Sequence, residues 1–215
     1  MSNTKVSINA DPFSEKYTQF STTRDTWRVF PNALTEYELE AIQAHADKTQ
    51  VNEGQVFDDK ASHPQGRYVG SLKSTSGRIS EVGWLTGNNE VENIIWKYVS
   101  EANKTFQVNV IKLMEIQYTL YHGHQKGHYD THSDTNWVGT NPLDRKLSVT
   151  IQLSDGTDYE GGKFDMLDGK DIPENISKGL GTVVIFPSYL RHKVNPVTQG
   201  TRKTIVAWVH GPRWR

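Results

Sequence analysis

Apolar positions recur at helical spacing in two stretches of the first half of the chain and at strand spacing in the second half. The first stretch opens at Leu34-Thr35-Glu36-Tyr37-Glu38-Leu39. Thr35 and Glu38 stand where a capping box needs them, a hydroxyl and a carboxylate each satisfying a free amide at a helix start. Leu34 and Leu39 occupy the positions of a hydrophobic staple. The spacing predicts a helix from this cap to about His45, burying Leu39, Ile42 and Ala46. A second helix is predicted from about Asn89, with Glu92 in its first turn. Val91, Ile94, Ile95, Tyr98, Val99 and Ala102 there follow the spacing of one buried face.

From Val110 the pattern changes to short β-rich runs, at residues 110–121, 147–153, 161–167, 182–187 and 203–210. Turn residues separate them: Asp155-Gly156, Gly161-Gly162, Asp168-Gly169, Gly179 to Gly181, and Gly200. Many short strands with Gly-rich turns predict a sandwich or barrel. The helices precede the strands instead of alternating with them, which argues against a parallel βαβ sheet. Residues 51–80 are polar, rich in Gly and Ser and without period, and read as a long connection over a binding face. Residues 135–144 read as a second such loop. Gly161-Gly162 is assigned to a hairpin.

Composition narrows the partners. The chain has 215 residues, enough for one domain with a core. Lysine and arginine number 24 against 25 acidic residues, so no strong field favours nucleic acid or an anionic membrane. Hydrophobic residues make up 35%, consistent with a loop-rich fold. With no cysteine, disulfides, thiolate metal sites and a cysteine nucleophile are excluded. The polar start MSNTKVSINADPFSEKY has no apolar run of signal-peptide length, and no segment approaches the ~20 apolar residues of a membrane span. A cytoplasmic protein is expected.

Histidine is distributed unevenly: four of the eight fall between His122 and His132. The segment Tyr121-His-Gly-His-Gln-Lys-Gly-His-Tyr-Asp-Thr-His-Ser-Asp134 contains two His-x-Asp pairs, His128/Asp130 and His132/Asp134. In an extended strand, residues two apart point to the same side, so an imidazole and a carboxylate can converge on one ion. His192 is the best third ligand, because it follows the buried-strand run Thr182-Val-Val-Ile-Phe-Pro187. Two histidines and one carboxylate leave half the coordination sphere open, as non-haem iron(II) oxygenases require. In a straight strand all four side chains of the two pairs share a face, and spacing does not choose between them. The plainer alternatives for the cluster are a polar loop or an adventitious zinc site.

The second half of the chain resembles the prolyl 4-hydroxylase-like branch of the iron(II)/2-oxoglutarate dioxygenases, over roughly Arg78 to Pro212. Arg78-Ile-Ser-Glu-Val-Gly-Trp84 resembles the stretch before that family's helix, and Ala102-Asn-Lys104 the helix's end. Glu115-Ile-Gln-Tyr-Thr-Leu-Tyr121 resembles the strand entering the metal site. His128-Tyr-Asp-Thr-His-Ser-Asp134 resembles the family's Tyr-Asp-x-His-x-Asp ending, which selects His132 and Asp134 over the earlier pair. Arg145 to Ser154 and Tyr159-Glu-Gly-Gly-Lys-Phe164 resemble the next strand and hairpin, and Phe186 to Arg202 the distal-histidine segment.

The resemblance implies a mainly β fold with flanking helices: a double-stranded β-helix, or jelly roll, with N-terminal helices packed on one sheet. One domain, 1–215, is expected, with helical support in 1–109 and a jelly-roll core in 110–212. It implies Fe(II) held by His132, Asp134 and His192, with 2-oxoglutarate and oxygen as co-substrates and ascorbate as an auxiliary reductant. Arg202, ten residues after His192, stands where the family places a cation for the distal carboxylate of 2-oxoglutarate. Guanidinium suits that role, being permanently charged and bidentate. The family's tyrosine, nine residues before the first ligand, is replaced here by Gly123. Gln117, Thr119 and Tyr121 share one side of their strand, and a polar cavity face selects Tyr121 over Tyr118 as the hydroxyl donor. Trp208 shares a face with Arg202, Thr204 and Val206 in a regular strand, and with Arg145 and Trp137 is a candidate for substrate contact. The implied reaction couples oxidative decarboxylation of 2-oxoglutarate to hydroxylation of an unactivated C–H. The implied substrate is a prolyl residue in a peptide or protein. The alternatives are a free amino acid or other small molecule, or a cupin-like metal-binding jelly roll that is no oxygenase and has no need of Arg202.

Overall fold

The structure is a computed structural model and describes residues 25–54, 77–137 and 140–214. Helix α1 spans Glu36–Ala46 and carries the capping box: Thr35 N–H donates to Glu38 Oε2 at 3.0 Å, and Glu38 N–H to Thr35 Oγ1 at 3.2 Å. Ile42 and Ala46 are buried as expected, but so is Glu38, while Leu39 is only half-buried. The exchange has a physical cause. Besides capping Thr35, Glu38 accepts from Lys97 at 2.6 Å and from the Tyr98 hydroxyl at 3.0 Å, so its charge is compensated where it is buried. Helix α2 spans Asn89–Phe106 and buries all six residues of its predicted face. Its N-cap is Asn88, whose side chain accepts from Glu90 and Val91 N–H.

Twelve strands are assigned among the described residues: β1 (Arg28–Phe30), β2 (Asn52–Glu53), β3 (Arg78–Ile79), β4 (Glu81–Trp84), β5 (Lys112–His122), β6 (His128–His132), β7 (Leu143–Gln152), β8 (Tyr159–Gly161), β9 (Phe164–Met166), β10 (Val183–Pro187), β11 (His192–Val194) and β12 (Val197–Pro212). A short helix, α3, covers Glu174–Ser177. The large sheet runs β1-β10-β7-β12-β5-β4-β2, with β8 added to the start of β12; the small sheet runs β3-β6-β11-β9. All pairs are antiparallel. The N-terminal half therefore supplies more than helical support, because β1 and β2 close the two edges of the large sheet and β3 one edge of the small one. The hydrophobic pattern does not show these strands, because two or three residues are too short to display a period. The predicted 51–80 connection includes β2, β3 and their flanks, and its residues 55–76 lie outside the described residues. Among the described residues, no helix is long and apolar enough to cross a membrane.

Strand alternation divides the interior into two layers. On one face of the large sheet, Ile116, Tyr118, Leu147, Ile151, Val183, Ile185, Ile205, Ala207 and Val209 pack against Ile42, Val91, Ile95 and Val99 of the helices. On the other face, Tyr121, Val184, Phe186 and Val197 pack toward Phe164, Met166 and Val194 of the small sheet. That second layer is smaller, and polar side chains enter it: Gln117, Thr119, Ser148, Gln152, Arg202 and Thr204 are buried there or beside it. A polar inner face explains how a core is built from so low a hydrophobic fraction. The glycine pair between β8 and β9 has φ of +73° at Gly161 and +64° at Gly162, but it closes no hairpin: β8 pairs with β12 and β9 with β11, so the two glycines turn the chain from the large sheet into the small one. Gly162 also clears the cleft, since a Cβ there would lie 3.1 Å from Arg202 Cδ.

Candidate active site

The inner face of the large sheet and the small sheet enclose a cleft of about 450 Å³ counted out to its mouth. The large sheet contributes Gln117 and Tyr121 from β5, Thr150 from β7, and Arg202, Thr204, Val206 and Trp208 from β12. The small sheet contributes Arg78, Tyr129, His132, Phe164, His192 and Val194.

Two of the expected ligands meet through strand pairing. His192 of β11 lies opposite His132 of β6, with the rings 4.3 Å apart. Asp134 leaves β6 and its backbone N–H donates to Ser188 O at 2.8 Å, tying it to the chain that leads into β11. Asp134 Oδ1 lies 3.6 Å from His132 Nε2, and Oδ2 lies 3.6 Å from His192 Nε2. One ligand atom from each of the three lies within 4.8 Å of the others, the spacing of donors around a common ion.

The donor atoms are oriented before any metal arrives. His132 Nδ1 is 2.7 Å from Asp130 O, and His192 Nδ1 is 3.0 Å from Leu190 O. A carbonyl only accepts, so Nδ1 carries a proton in each case, which leaves Nε2 facing the shared point as the position for a metal. Burial pushes the His132 pKa down to about 4, helped by the neighbouring His192, so His132 is a neutral donor at pH 7. Burial works against the charge of Asp134. His192, His132, Arg145 and the Ser148 hydrogen bond outweigh it and hold the carboxyl below its ordinary range.

The neighbourhood of His132 departs from a straight strand. Along β6 the step from Tyr129 to His132 takes three residues, whereas the facing step on β11, from Val194 to His192, takes two. This bulge breaks the parity of β6 and puts Tyr129 and His132 on the same, cleft-facing side. Their rings stack at 3.6 Å, and the Arg78 guanidinium lies 4.6 Å over Tyr129. The expectation that His128, Asp130, His132 and Asp134 share one face holds only for a straight strand. His128 and Asp130 are left outside the cleft, with His128 Nδ1 2.8 Å from Lys126 O and Nε2 3.8 Å from Asp130 Oδ1.

Arg202 is 4% exposed and stands opposite Tyr121, with its guanidinium 5.6 Å from that ring. Among the described residues no carboxylate pairs with it. A buried cation without an acid is costly, and an anionic ligand would relieve that cost. Tyr121 lines the cleft, whereas Tyr118 faces the helices. Trp208 lines the cleft beyond Val206, and its buried Nε1 has no hydrogen-bond partner among the described residues. Arg145 stacks on Trp208, with the guanidinium carbon 3.8 Å from the ring centroid, and donates to Glu115 Oε2 at 2.9 and 2.6 Å. Trp137 is 57% exposed and does not line the cleft. His122 is engaged by Glu81 and Thr201, away from His132, Asp134 and His192.

Residues 116–210 match the family described as the 2OG-Fe(II) oxygenase superfamily. A PKHD-type hydroxylase of Idiomarina loihiensis is 30% identical over 179 residues, covering 83% of this chain and 74% of that protein.

The chain belongs to the 2OG-Fe(II) oxygenase superfamily.

A PKHD-type hydroxylase of Gloeothece citriformis is 34% identical over 108 residues; there the match spans 50% of this chain and about half, 48%, of the relative. Two solved structures share the fold of this oxygenase. The viral collagen prolyl hydroxylase of Paramecium bursaria Chlorella virus-1, in its 2OG complex, has 19% identity and a TM-score of 0.60, with 87% of this chain and 97% of that one covered. A Trichoplax adhaerens prolyl hydroxylase, in complex with a hypoxia inducible factor peptide fragment, has 16% identity and a TM-score of 0.62, covering 86% and 83%. The double-stranded β-helix expected from the sequence is the fold observed.

Several site residues escaped the sequence reading. Tyr129 reaches the cleft only through the bulge, which leaves no mark in the hydrophobic pattern. Ser148, hydrogen-bonded to Asp134, is one of several serines in polar surroundings. Arg78 lies in the stretch whose polar, aperiodic pattern predicts a loop, although its strand opens the stretch that carries the family resemblance.

Proposed function

We propose that this chain is an Fe(II)- and 2-oxoglutarate-dependent hydroxylase acting on a prolyl residue in a peptide or protein. His132, Asp134 and His192 would hold Fe(II), and their oriented donor set suits it: two imidazole nitrogens and one carboxylate, with the remaining positions open to the cleft. Bound there with 2-oxoglutarate and oxygen, the metal supplies the oxidising chemistry. The chain's own residues supply placement. Arg202 takes the distal carboxylate of 2-oxoglutarate, and Tyr121 stands beside it as hydroxyl donor. The observation that carries the reading is that the metal ligands and an acid-free buried guanidinium line one cleft.

The substrate side is read from Trp208 and Arg145. Trp208 lines the cleft, and its indole offers a flat apolar wall to a compact ring such as that of proline. Arg145, held by Glu115, stacks on the Trp208 indole outside the cleft lining, where its charge would meet the backbone of a bound peptide. The peptide and collagen hydroxylases among the structural relatives support the same substrate class.

The test is succinate formation by purified protein with Fe(II), ascorbate and 2-oxoglutarate in air, with and without a pool of proline-rich peptides. Succinate should rise with peptide, and a peptide should gain the mass of one oxygen atom at proline. Succinate without oxygen gain on any peptide would move the substrate to a small molecule. No succinate from protein shown to contain iron would overturn the oxygenase reading.

A further inference from the structure

Asp134 is restrained by two serines that the metal does not need as ligands. Ser148 lies on the inner face of β7, and Ser188 follows the end of β10, the strand paired with β7. Both are enclosed, at 1% and 0% exposure. Ser148 Oγ lies 2.6 Å from Asp134 Oδ2 and 2.9 Å from Ser188 Oγ. A hydroxyl has one proton, and an ionised carboxylate only accepts. Ser148 must therefore donate to Asp134, which leaves Ser188 to donate to Ser148. The two hydroxyls form a chain with one direction, each bond polarising the next.

The direction matters because the two oxygens of Asp134 are otherwise equivalent toward the metal position. Oδ1 is 3.6 Å from one ligand nitrogen and Oδ2 is 3.6 Å from the other. A free carboxylate in this place could ligate through either oxygen or both. The short, charge-assisted bond from Ser148 withdraws Oδ2 and leaves Oδ1 as the stronger donor. Ligation through both oxygens would fill a position that the co-substrates need.

We propose that Ser148, backed by Ser188, is a positioning residue that fixes Asp134 as a one-oxygen metal ligand and thereby keeps an adjacent coordination position available. This rests on His132, Asp134 and His192 being the metal ligands.

The experiment is titration of the metal-free protein with Co(II), reading both affinity and the visible absorption of the bound ion. Ser148→Ala should weaken Co(II) binding roughly 10–100-fold, the usual size of a lost outer-shell bond to a ligand. Its spectrum should change as well, because a second carboxylate oxygen would take a coordination position otherwise held by water. Ser148→Thr, which keeps the hydroxyl, should restore both, and Ser188→Ala should shift both in the same direction by less. A folded Ser148→Ala protein with affinity within about twofold of the parent and an unchanged spectrum would overturn the proposal. If Ser148→Ala does not fold, Ser188→Ala decides, and parental affinity and spectrum in that variant overturn it. Asp134→Ala separates the two readings: Co(II) binding as tight as the parent's would reject the ligand assignment itself, whatever the serines do.

Discussion

The two His-x-Asp pairs of this chain have the same local design and different fates. In His128/Asp130 and in His132/Asp134, the histidine Nδ1 faces a carbonyl two residues earlier, at 2.8 and 2.7 Å. The Nε2 then faces the carboxylate two residues later, at 3.8 and 3.6 Å. What differs is the surroundings. Asp134 has 6% of its side chain exposed and Asp130 has 64%. Across from His132 stands His192, whereas the residue across from His128 is Ile79. A ligand pair becomes a candidate centre when tertiary structure adds a third donor and removes water, and local sequence supplies neither.

The largest effect expected from that contrast is on metal binding. His132→Ala or His192→Ala should weaken Fe(II) or Co(II) binding more than about 100-fold, beyond the usual loss for an outer-shell change, and abolish succinate formation. His128→Ala should leave affinity within about twofold. Metal retention in the His132 variant together with loss in the His128 variant would reverse the comparison.

Burial of His132 should also show in stability. In the metal-free protein its folded pKa of about 4 lies below the ordinary histidine value of 6.5, so between these values the unfolded chain binds more protons. Stability should therefore fall as pH drops from about 6.5 to about 4, by at most roughly 3 kcal/mol in all, and less where the partly exposed ring is screened. Urea melts of chelator-treated protein across that range should show the slope, and His132→Ala should reduce it. An identical slope in the variant would mean that another group carries the dependence.

The same contrast between partnered and unpartnered groups divides the arginines. Arg145 has Glu115 as an acid partner, and Arg202 has no carboxylate among the described residues. Arg202→Ala should raise the 2-oxoglutarate concentration for half-maximal turnover roughly 10–100-fold, the worth of a charged hydrogen-bonded contact, with metal affinity unchanged. Arg145→Ala should act on peptide KM and leave the 2-oxoglutarate requirement near parental. If both variants moved the same constant, the division of the cleft into co-substrate and substrate sides would fail. The smallest effect is expected for Trp208→Phe, which keeps an aromatic ring of smaller area. Peptide KM should rise by about tenfold or less, reflecting the smaller apolar wall that remains.

Local physics made much of the fold legible. The Thr35/Glu38 box and the six-residue face of α2 are set by contacts within a few residues, and both formed as the spacing predicts. The long strands β5, β7 and β12 alternate over enough positions to separate a helix-facing side from a cleft-facing side. That alternation placed Gln117 and Tyr121 together, as it did Arg202, Thr204, Val206 and Trp208. The short strands β1 to β4 were not legible, since they are held by partners far along the chain and carry too few residues for a pattern.

What the sequence by itself determined is the supply of chemistry: histidine and aspartate without cysteine, a guanidinium ten residues beyond His192, and strands whose polar residues recur on one side. Tertiary structure decided which of that supply is used. The bulge in β6 turned Tyr129 and His132 to one side, the pairing of β11 with β6 brought His192 opposite His132, and packing beneath Asp134 enclosed Ser148 and Ser188. The reason is physical. A residue's chemistry and its local period are properties of the nearby chain, whereas convergence and exclusion of water depend on segments separated by tens of residues, whose meeting is registered only in the packed fold.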